Sequence, residues 1–374
     1  MKIYETFLLS VIALLLFVGI FSVIKTTAIK TAIKVVRGRH IPDDNFAKAI
    51  RKDYKTCIDD DDYLTEDAKT ITTLCVSSAE INSLRGFDFP ALKVFDCSRN
   101  QLSVLPNNLP TSLLSLYCNY NQLSELPKVL PERLEKLHCD KNQLSKLPDN
   151  LPETLEILYC SRNQITKLLY TLPRALNDLD CSYNQLSKLP DNLPRALNNL
   201  NCSNNQLSKL PDSLPKMLEG LYCSENKISK LSDNLPETLE YLYCDNNQIK
   251  DLPANLPQML KILHCSRNQI SKLLDNLPER LEGLYCSENK ISKLSDNLPL
   301  SLVYLYCSSN KISKLPDNLP ETLKFLYCSS NPITTLPLLP LSIESLYIEN
   351  TKIQCLPNLP EGLLQSKYAK MRCK

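Results

Sequence analysis

Sixteen cysteines and three histidines are the residues of this chain that could do chemistry. In a short secreted protein so many cysteines read as a disulfide framework, and close pairs of them read as zinc ligands. Their spacing argues against both. Cys97, Cys118, Cys139, Cys160, Cys181, Cys202, Cys223, Cys244, Cys265, Cys286, Cys307 and Cys328 recur every 21 residues without a slip, and no C-x2-C pair occurs. One cysteine per unit marks an internal repeat. A thiol in a repeated apolar slot has no paired base to activate it, so it is expected to pack rather than react. His138 and His264 stand six units apart, about 29 Å at one strand spacing per unit, and cannot share a site. No phosphate loop, nucleophile elbow or metal-ligand cluster accompanies them. Neither catalysis nor a cofactor is expected.

The rest of the composition agrees with a repeat. The chain has 374 residues with 25 prolines, six glycines and no tryptophan, and its 43 basic and 41 acidic residues leave a net charge of +2. That balance gives no electrostatic footprint for nucleic acid. In the unit from Leu239 to Pro257, LEYLYCDNNQIKDLPANLP, apolar residues fall at positions 1, 4, 6, 11, 14 and 18, asparagine at 9, and proline at 15 and 19. Asn100, Asn121, Asn142, Asn163, Asn184, Asn205, Asn226, Asn247, Asn268, Asn289, Asn310 and Asn331 hold position 9 in twelve regular units. Two degenerate units flank them, around Cys75 (22 residues before Cys97) and around Ile348 (20 after Cys328).

These residues need particular elements to position them. Positions 4 and 6 alternate with 3, 5 and 7, the period of a strand, so Leu242 and Cys244 point inward and Tyr243 outward. One short strand cannot bury its inward face alone. Stacked units make a parallel sheet with a strand every ~4.8 Å and a continuous core behind it. The asparagine sits where the chain leaves the strand, and its amide can satisfy buried backbone groups. The LPxxLP return has fixed φ at both prolines and few donors, which predicts an extended or polyproline-II path.

The pattern L-x-x-L-x-C-x-x-N-x-L-x-x-L-P-x-x-L-P resembles the short repeats of bacterial effector leucine-rich-repeat proteins of the YopM and IpaH type; similar arrays occur in giant viruses and amoebae. The resemblance covers residues 70 to 364. It implies a mostly β leucine-rich-repeat solenoid, a curved parallel sheet with a thin extended convex side. Many effectors of that class carry a C-terminal ubiquitin-ligase domain with a catalytic cysteine. This sequence has only about ten residues after its last unit, so it lacks the pattern of that domain.

Both ends depart from the array. Residues 7–24, FLLSVIALLLFVGIFSVI, are uncharged and apolar, about 27 Å long as a helix. Their length favours a transmembrane helix over a cleaved signal peptide. The basic segment 25–40 then places the repeats in the cytosol by the positive-inside rule, and it could lie on anionic lipid. A reducing cytosol would keep the cysteine column, and Cys57, Cys355 and Cys373 outside it, as free thiols; an inverted topology would let those three pair. The expected organisation is a tail (1–6), a transmembrane anchor (7–24), a juxtamembrane segment (25–40), an N-terminal cap with a short helix begun by Asp43 or Asp44 (41–70), the array (71–364) and a polar tail (365–374). The acidic run Asp59–Asp62 lacks the alternation and glycine of a calcium loop and reads as a solvated loop.

Function is expected on the outward strand positions, which form the concave face. Position 5 carries a row of aromatic residues, and position 3 adds more toward the C-terminus. The candidate partner-binding residues are Tyr222, Tyr241, Tyr243, His264, Tyr285, Tyr304, Tyr306, Phe325 and Tyr327. Tyrosine gives contact area with a polar tip and suits a protein interface; it also suits any strand surface and would be copied with the repeat. Lysines at position 13 and aspartates at position 16 form two columns that read as a solvated edge. Three readings follow: a membrane-anchored scaffold that captures a protein, a secreted or surface-exposed recognition protein for protein or glycan, and an effector-like accessory in ubiquitin signalling.

Overall fold

A computed structural model of the chain describes residues 38–371. Fourteen strands of three residues each line up in chain order as one parallel sheet. They are β1 (Thr73–Cys75), β2 (Val94–Asp96), β3 (Ser115–Tyr117), β4 (Lys136–His138), β5 (Ile157–Tyr159), β6 (Asp178–Asp180), β7 (Asn199–Asn201), β8 (Gly220–Tyr222), β9 (Tyr241–Tyr243), β10 (Ile262–His264), β11 (Gly283–Tyr285), β12 (Tyr304–Tyr306), β13 (Phe325–Tyr327) and β14 (Ser345–Tyr347). The pairing register is the repeat itself: Leu242 lies beside Leu263 and Leu263 beside Leu284. Each strand buries its central residue and turns the two flanking ones outward, as with Leu242 between Tyr241 and Tyr243.

The register settles the first unit. Thr73 pairs with Val94 and Cys75 with Asp96. The 21-residue spacing therefore holds, and Val76, not Cys75, fills the ladder slot. Val76 is buried, whereas Cys75 is an exposed thiol on the sheet face. At the other end Tyr327 pairs with Tyr347, one residue short, and Ile348 closes the ladder.

Behind the sheet, the position-4 leucines and the ladder cysteines from Cys97 to Cys328 are fully buried in one continuous core. Burial pushes the thiols of Cys223, Cys286 and Cys328 up to about 12. They stay protonated and act as small apolar spacers. The turn out of the strand is built by two residues. Position 8 takes a left-handed conformation in every regular unit although none is glycine, for example Arg162 (φ 52°) and Asn246 (φ 51°). Position 9 then aims its amide inward. Asn247 donates from Nδ2 to the carbonyls of Cys223 (3.0 Å) and Cys244 (3.1 Å), and its Oδ1 accepts from the Ile228 N–H (2.9 Å).

The return side is thin and extended. From β3 onward each turn is closed by a proline carbonyl, as where Pro236 accepts from the Leu239 N–H at 3.1 Å; before β2 the Phe89 carbonyl takes that place. A hydroxyl just before position 1 adds a second ladder that the sequence pattern did not single out. Thr238 donates to the carbonyls of Lys216 (2.9 Å) and Leu218 (2.8 Å), and Thr322 makes the same pair of bonds, to Leu300 and Leu302, four units further along.

The first unit is covered by helix α1 (Asp44–Asp53), which buries Phe46, Ala47 and Ile50. Asp43 caps it by accepting from the Phe46 N–H, and its other oxygen accepts from Asn82 and Ser83, which ties the helix to the array. At the C-terminal end Tyr368 is buried and donates to Glu349 at 2.9 Å.

Two expectations about location do not stand. Among the described residues no helix is long and apolar enough to cross a membrane. The ten-residue α1 spans about 15 Å, half a bilayer core, and has a polar face. Residues 7–24 and most of the basic segment lie outside the described residues. The fold class is thus corrected to a mostly β parallel solenoid with a short helical cap, without support for a transmembrane helix or for the single-pass, cytosolic placement built on it. The free-thiol expectation also fails in part. Cys355 is disulfide-bonded, a state typical of oxidising compartments, while Cys57 is free and buried. Cys373 lies outside the described residues.

The asparagine bridge makes the first prediction. Asn247→Ala orphans the Ile228 N–H and takes one of two amide donors from each of two buried carbonyls, those of Cys223 and Cys244, so it should cost about 2 kcal/mol or more. The exposed neighbour substitution Gln248→Ala should stay within about 0.5 kcal/mol. Urea unfolding midpoints compare them, and equal shifts would rule out the bridging role.

Candidate partner-binding face

Position 5 is the middle of the outward sheet face, and parallel pairing brings its side chains one strand apart. Aromatic rings at that spacing touch. Tyr222 meets Tyr243 with centroids 5.0 Å apart; Tyr243 meets His264 at 4.2 Å and 12°; His264 meets Tyr285 at 3.9 Å and 14°. The row continues through Tyr306 (4.7 Å from Tyr285), Tyr327 (4.2 Å) and Tyr347 (4.3 Å). Position 3 adds a second short stack, Tyr304 on Phe325 at 4.9 Å and 9°, joined to the row through Tyr285 at 6.4 Å. Eight of the nine candidate residues thus form one aromatic surface. Tyr241 sits on the same face beside Ile262 but joins no ring stack among the described residues.

The row extends beyond the nine candidate residues and has a second part. Tyr347 extends it at the C-terminal end. Nearer the N-terminus, His138 lies between Tyr117 (4.7 Å) and Tyr159 (4.6 Å) as a separate cluster. Asp180 and Asn201, at position 5 of β6 and β7, separate the two.

Two glycines shape the surface and were missed. Gly220 and Gly283 hold position 3 beside Tyr222 and Tyr285. A Cβ on Gly283 would stand 2.8 Å from Tyr285 Cε2 and 2.9 Å from Ile262 Cδ1, and one on Gly220 would stand 2.9 Å from Tyr222 Cε2. The absent side chains let these rings lean across their own strands. A signal was present, since two of only six glycines in the chain fall at the same repeat position.

The polar surroundings are specific. Asp245 Oδ2 lies 3.5 Å from His264 Nδ1. Burial and then neighbouring tyrosines raise the hydroxyls of Tyr222 and Tyr285 above the usual tyrosine range, and burial together with Asp178 pushes Tyr159 up to about 12. These hydroxyls remain donors at neutral pH. Tyr159 uses its own to reach Asp178 Oδ2 at 2.9 Å. On the far edge, Lys230–Asp233 and Lys293–Asp296 pairs are largely exposed, as a solvated edge should be. Among the described residues no group of three or more histidine, cysteine, aspartate or glutamate side chains is placed to hold a metal ion. The arrangement offers contact area and hydrogen-bond donors, with no activated nucleophile.

Known proteins share this architecture. A model described as leucine rich repeats in two copies matches residues 237–279, and one described as leucine rich repeat matches residues 196–217. No curated protein matches the chain. Among solved structures, YopM, a leucine-rich effector protein from Yersinia pestis, is 33% identical over 78% of this chain and 86% of its own, with a TM-score of 0.69. The functional domain of InlJ from Listeria monocytogenes, which includes a cysteine ladder, is 27% identical over 84% of this chain and 73% of its own, with a TM-score of 0.74. A Leptospira interrogans leucine-rich-repeat protein is 26% identical over 71% and 74%, with a TM-score of 0.65.

The glycine contacts are testable. Gly283→Ala forces the Tyr285 ring or Ile262 to move, at a cost of about 1–3 kcal/mol. The aromatic stack should loosen, seen as a changed near-ultraviolet circular dichroism signal with an unchanged far-ultraviolet one. An unaltered near-ultraviolet spectrum would show that the ring does not depend on the glycine.

Proposed function

Because the chain belongs to the leucine-rich-repeat family, we propose that it is a non-catalytic binding scaffold that captures a protein partner on the tyrosine-rich outward face of its sheet, the concave face of such an array. The observation that carries this reading is the ring row from Tyr222 to Tyr347. It holds large, preordered side chains at one strand spacing, so little rotamer freedom is left to lose on binding.

Glycan recognition fits the row less well. A sugar packs on a free aromatic face. Both faces of His264 are covered by Tyr243 and Tyr285, so ring edges and hydroxyls are what a ligand meets at the centre of the stack. Nothing in the described residues favours the ubiquitin-accessory reading. One observation favours a secreted or surface-exposed setting over a reducing one, namely the disulfide at Cys355.

Affinity capture tests the face. The full chain and a variant carrying Tyr243→Ala, Tyr285→Ala, Tyr306→Ala and Tyr327→Ala are compared in lysate and extracellular fractions of the source, with circular dichroism confirming that the variant is folded. The variant should lose the principal partner. An identical partner list for both would remove the proposal. The setting has its own test: in protein isolated from its source under non-reducing conditions, Cys355 should resist alkylation until a reductant is added. Complete alkylation before reduction would overturn the oxidised state.

A further inference from the structure

The outward face is charged in a way the whole chain is not. Across the fourteen units, positions 3, 5 and 7 hold six acids: Asp96, Asp140, Asp178, Asp180, Asp245 and Glu349. The same positions hold one base, Lys136. The chain as a whole is near neutral at +2, so the bases have been kept off this surface. Some stand on the ridge beside it, where Arg99, Lys141 and Arg162 lie over tyrosine rings, and others on the far edge.

We propose that the partner held on this face presents a cationic segment, arginine or lysine side chains interleaved with apolar ones, whose charged groups seat on Asp178 and Asp180 between the two aromatic clusters. This rests on the docking-face reading above and names the partner's chemistry. Asp178 and Asp180 are two residues apart on β6, so both carboxylates project on one side of the sheet. Asp178 accepts from the Tyr159 hydroxyl and Asp180 from the Ser182 N–H. No ion pair within 4.0 Å holds either among the described residues. Burial and then Asp180 push the Asp178 carboxyl up, the Tyr159 bond opposing. Half-buried carboxylates left without a cation are where a partner's charge has most to offset. The site lies between Tyr159 and Tyr222, so apolar residues on either side of the cation would meet rings, and a guanidinium can bond a carboxylate while packing on an aromatic edge. The same charge disfavours polyanions.

The probes are two fluorescein-labelled peptides of equal length, one alternating arginine and leucine, the other glutamate and leucine. Fluorescence anisotropy is read with the full chain, with Asp178→Asn/Asp180→Asn, and with Asp212→Asn/Asp233→Asn, which removes the same charge from the exposed edge. The basic peptide should bind the full chain, weaken at least tenfold for the Asp178/Asp180 variant and less than twofold for the edge variant, while the acidic peptide does not bind. Equal losses from both variants, no binding of the basic peptide, or comparable binding of the acidic one overturns the proposal. Should the tyrosine variant lose the captured partner while Asp178→Asn/Asp180→Asn keeps it, the cationic inference falls and the docking face stands. Should neither lose it, both fall.

Discussion

The fold depends on how the backbone leaves each strand. After three residues the chain must turn inside a dry core, and the carbonyl of every ladder cysteine points where water cannot reach. From Cys97 to Cys307 each takes two amide protons from asparagine side chains, one from its own unit and one from the next, as Cys223 does; Cys328 takes only that of Asn331. An unsatisfied buried carbonyl costs far more than a satisfied one gains, so the asparagine column is less a source of attraction than a condition for stacking at all. The left-handed residue before it and the small thiol two places before that residue follow from the same turn: one sets the angle, the other leaves room.

Most of the architecture was legible because a repeat displays its constraints many times over. Leu242, Cys244, Asn247 and the LPxxLP return could each be assigned from alternation, polarity and fixed φ before any coordinates. What escaped was whatever occurs once or twice. Cys75 looked like a slipped ladder cysteine because identity was matched instead of register; pairing with Asp96 placed it outside and Val76 within. Gly220 and Gly283 were invisible because an absent side chain matters only when a neighbouring ring needs its space. The hydroxyl ladder of Thr238 and Thr322 was masked by the units that put arginine, alanine or methionine there. The disulfide at Cys355 lies in the C-terminal cap, where the period has ended and spacing carries no information. The apolar run at 7–24 yielded a length and a hydropathy, and neither bears on a solenoid whose first strand begins at Thr73.

The surface was legible in composition and obscure in arrangement. A row of tyrosines can be counted from sequence, but its stacking follows from parallel pairing at one ring thickness plus a little. Stacking also changes what the row can do. Rings that cover each other's faces are rigid and present their edges, which favours hydrogen-bonded, contoured contacts over flat ones. The break at Asp178, Asp180, Asn199 and Asn201 is a departure from the copied unit, and departures are where duplication alone explains least.

The direction of the asparagine bridges gives the molecule an order in time. The Asn247 side chain completes carbonyl and amide groups of the unit before it, while its own backbone N–H waits for the Arg267 carbonyl of the unit after it. A chain emerging from the ribosome amino end first, with α1 already seated on the first unit, therefore finishes each turn as the following one appears. Synthesis and folding run the same way along the array, and at its last strand Thr351 stands in for asparagine: its hydroxyl donates to the Ile348 carbonyl and accepts from the Ile353 N–H, both in its own unit, so it makes no bridge back to the unit before.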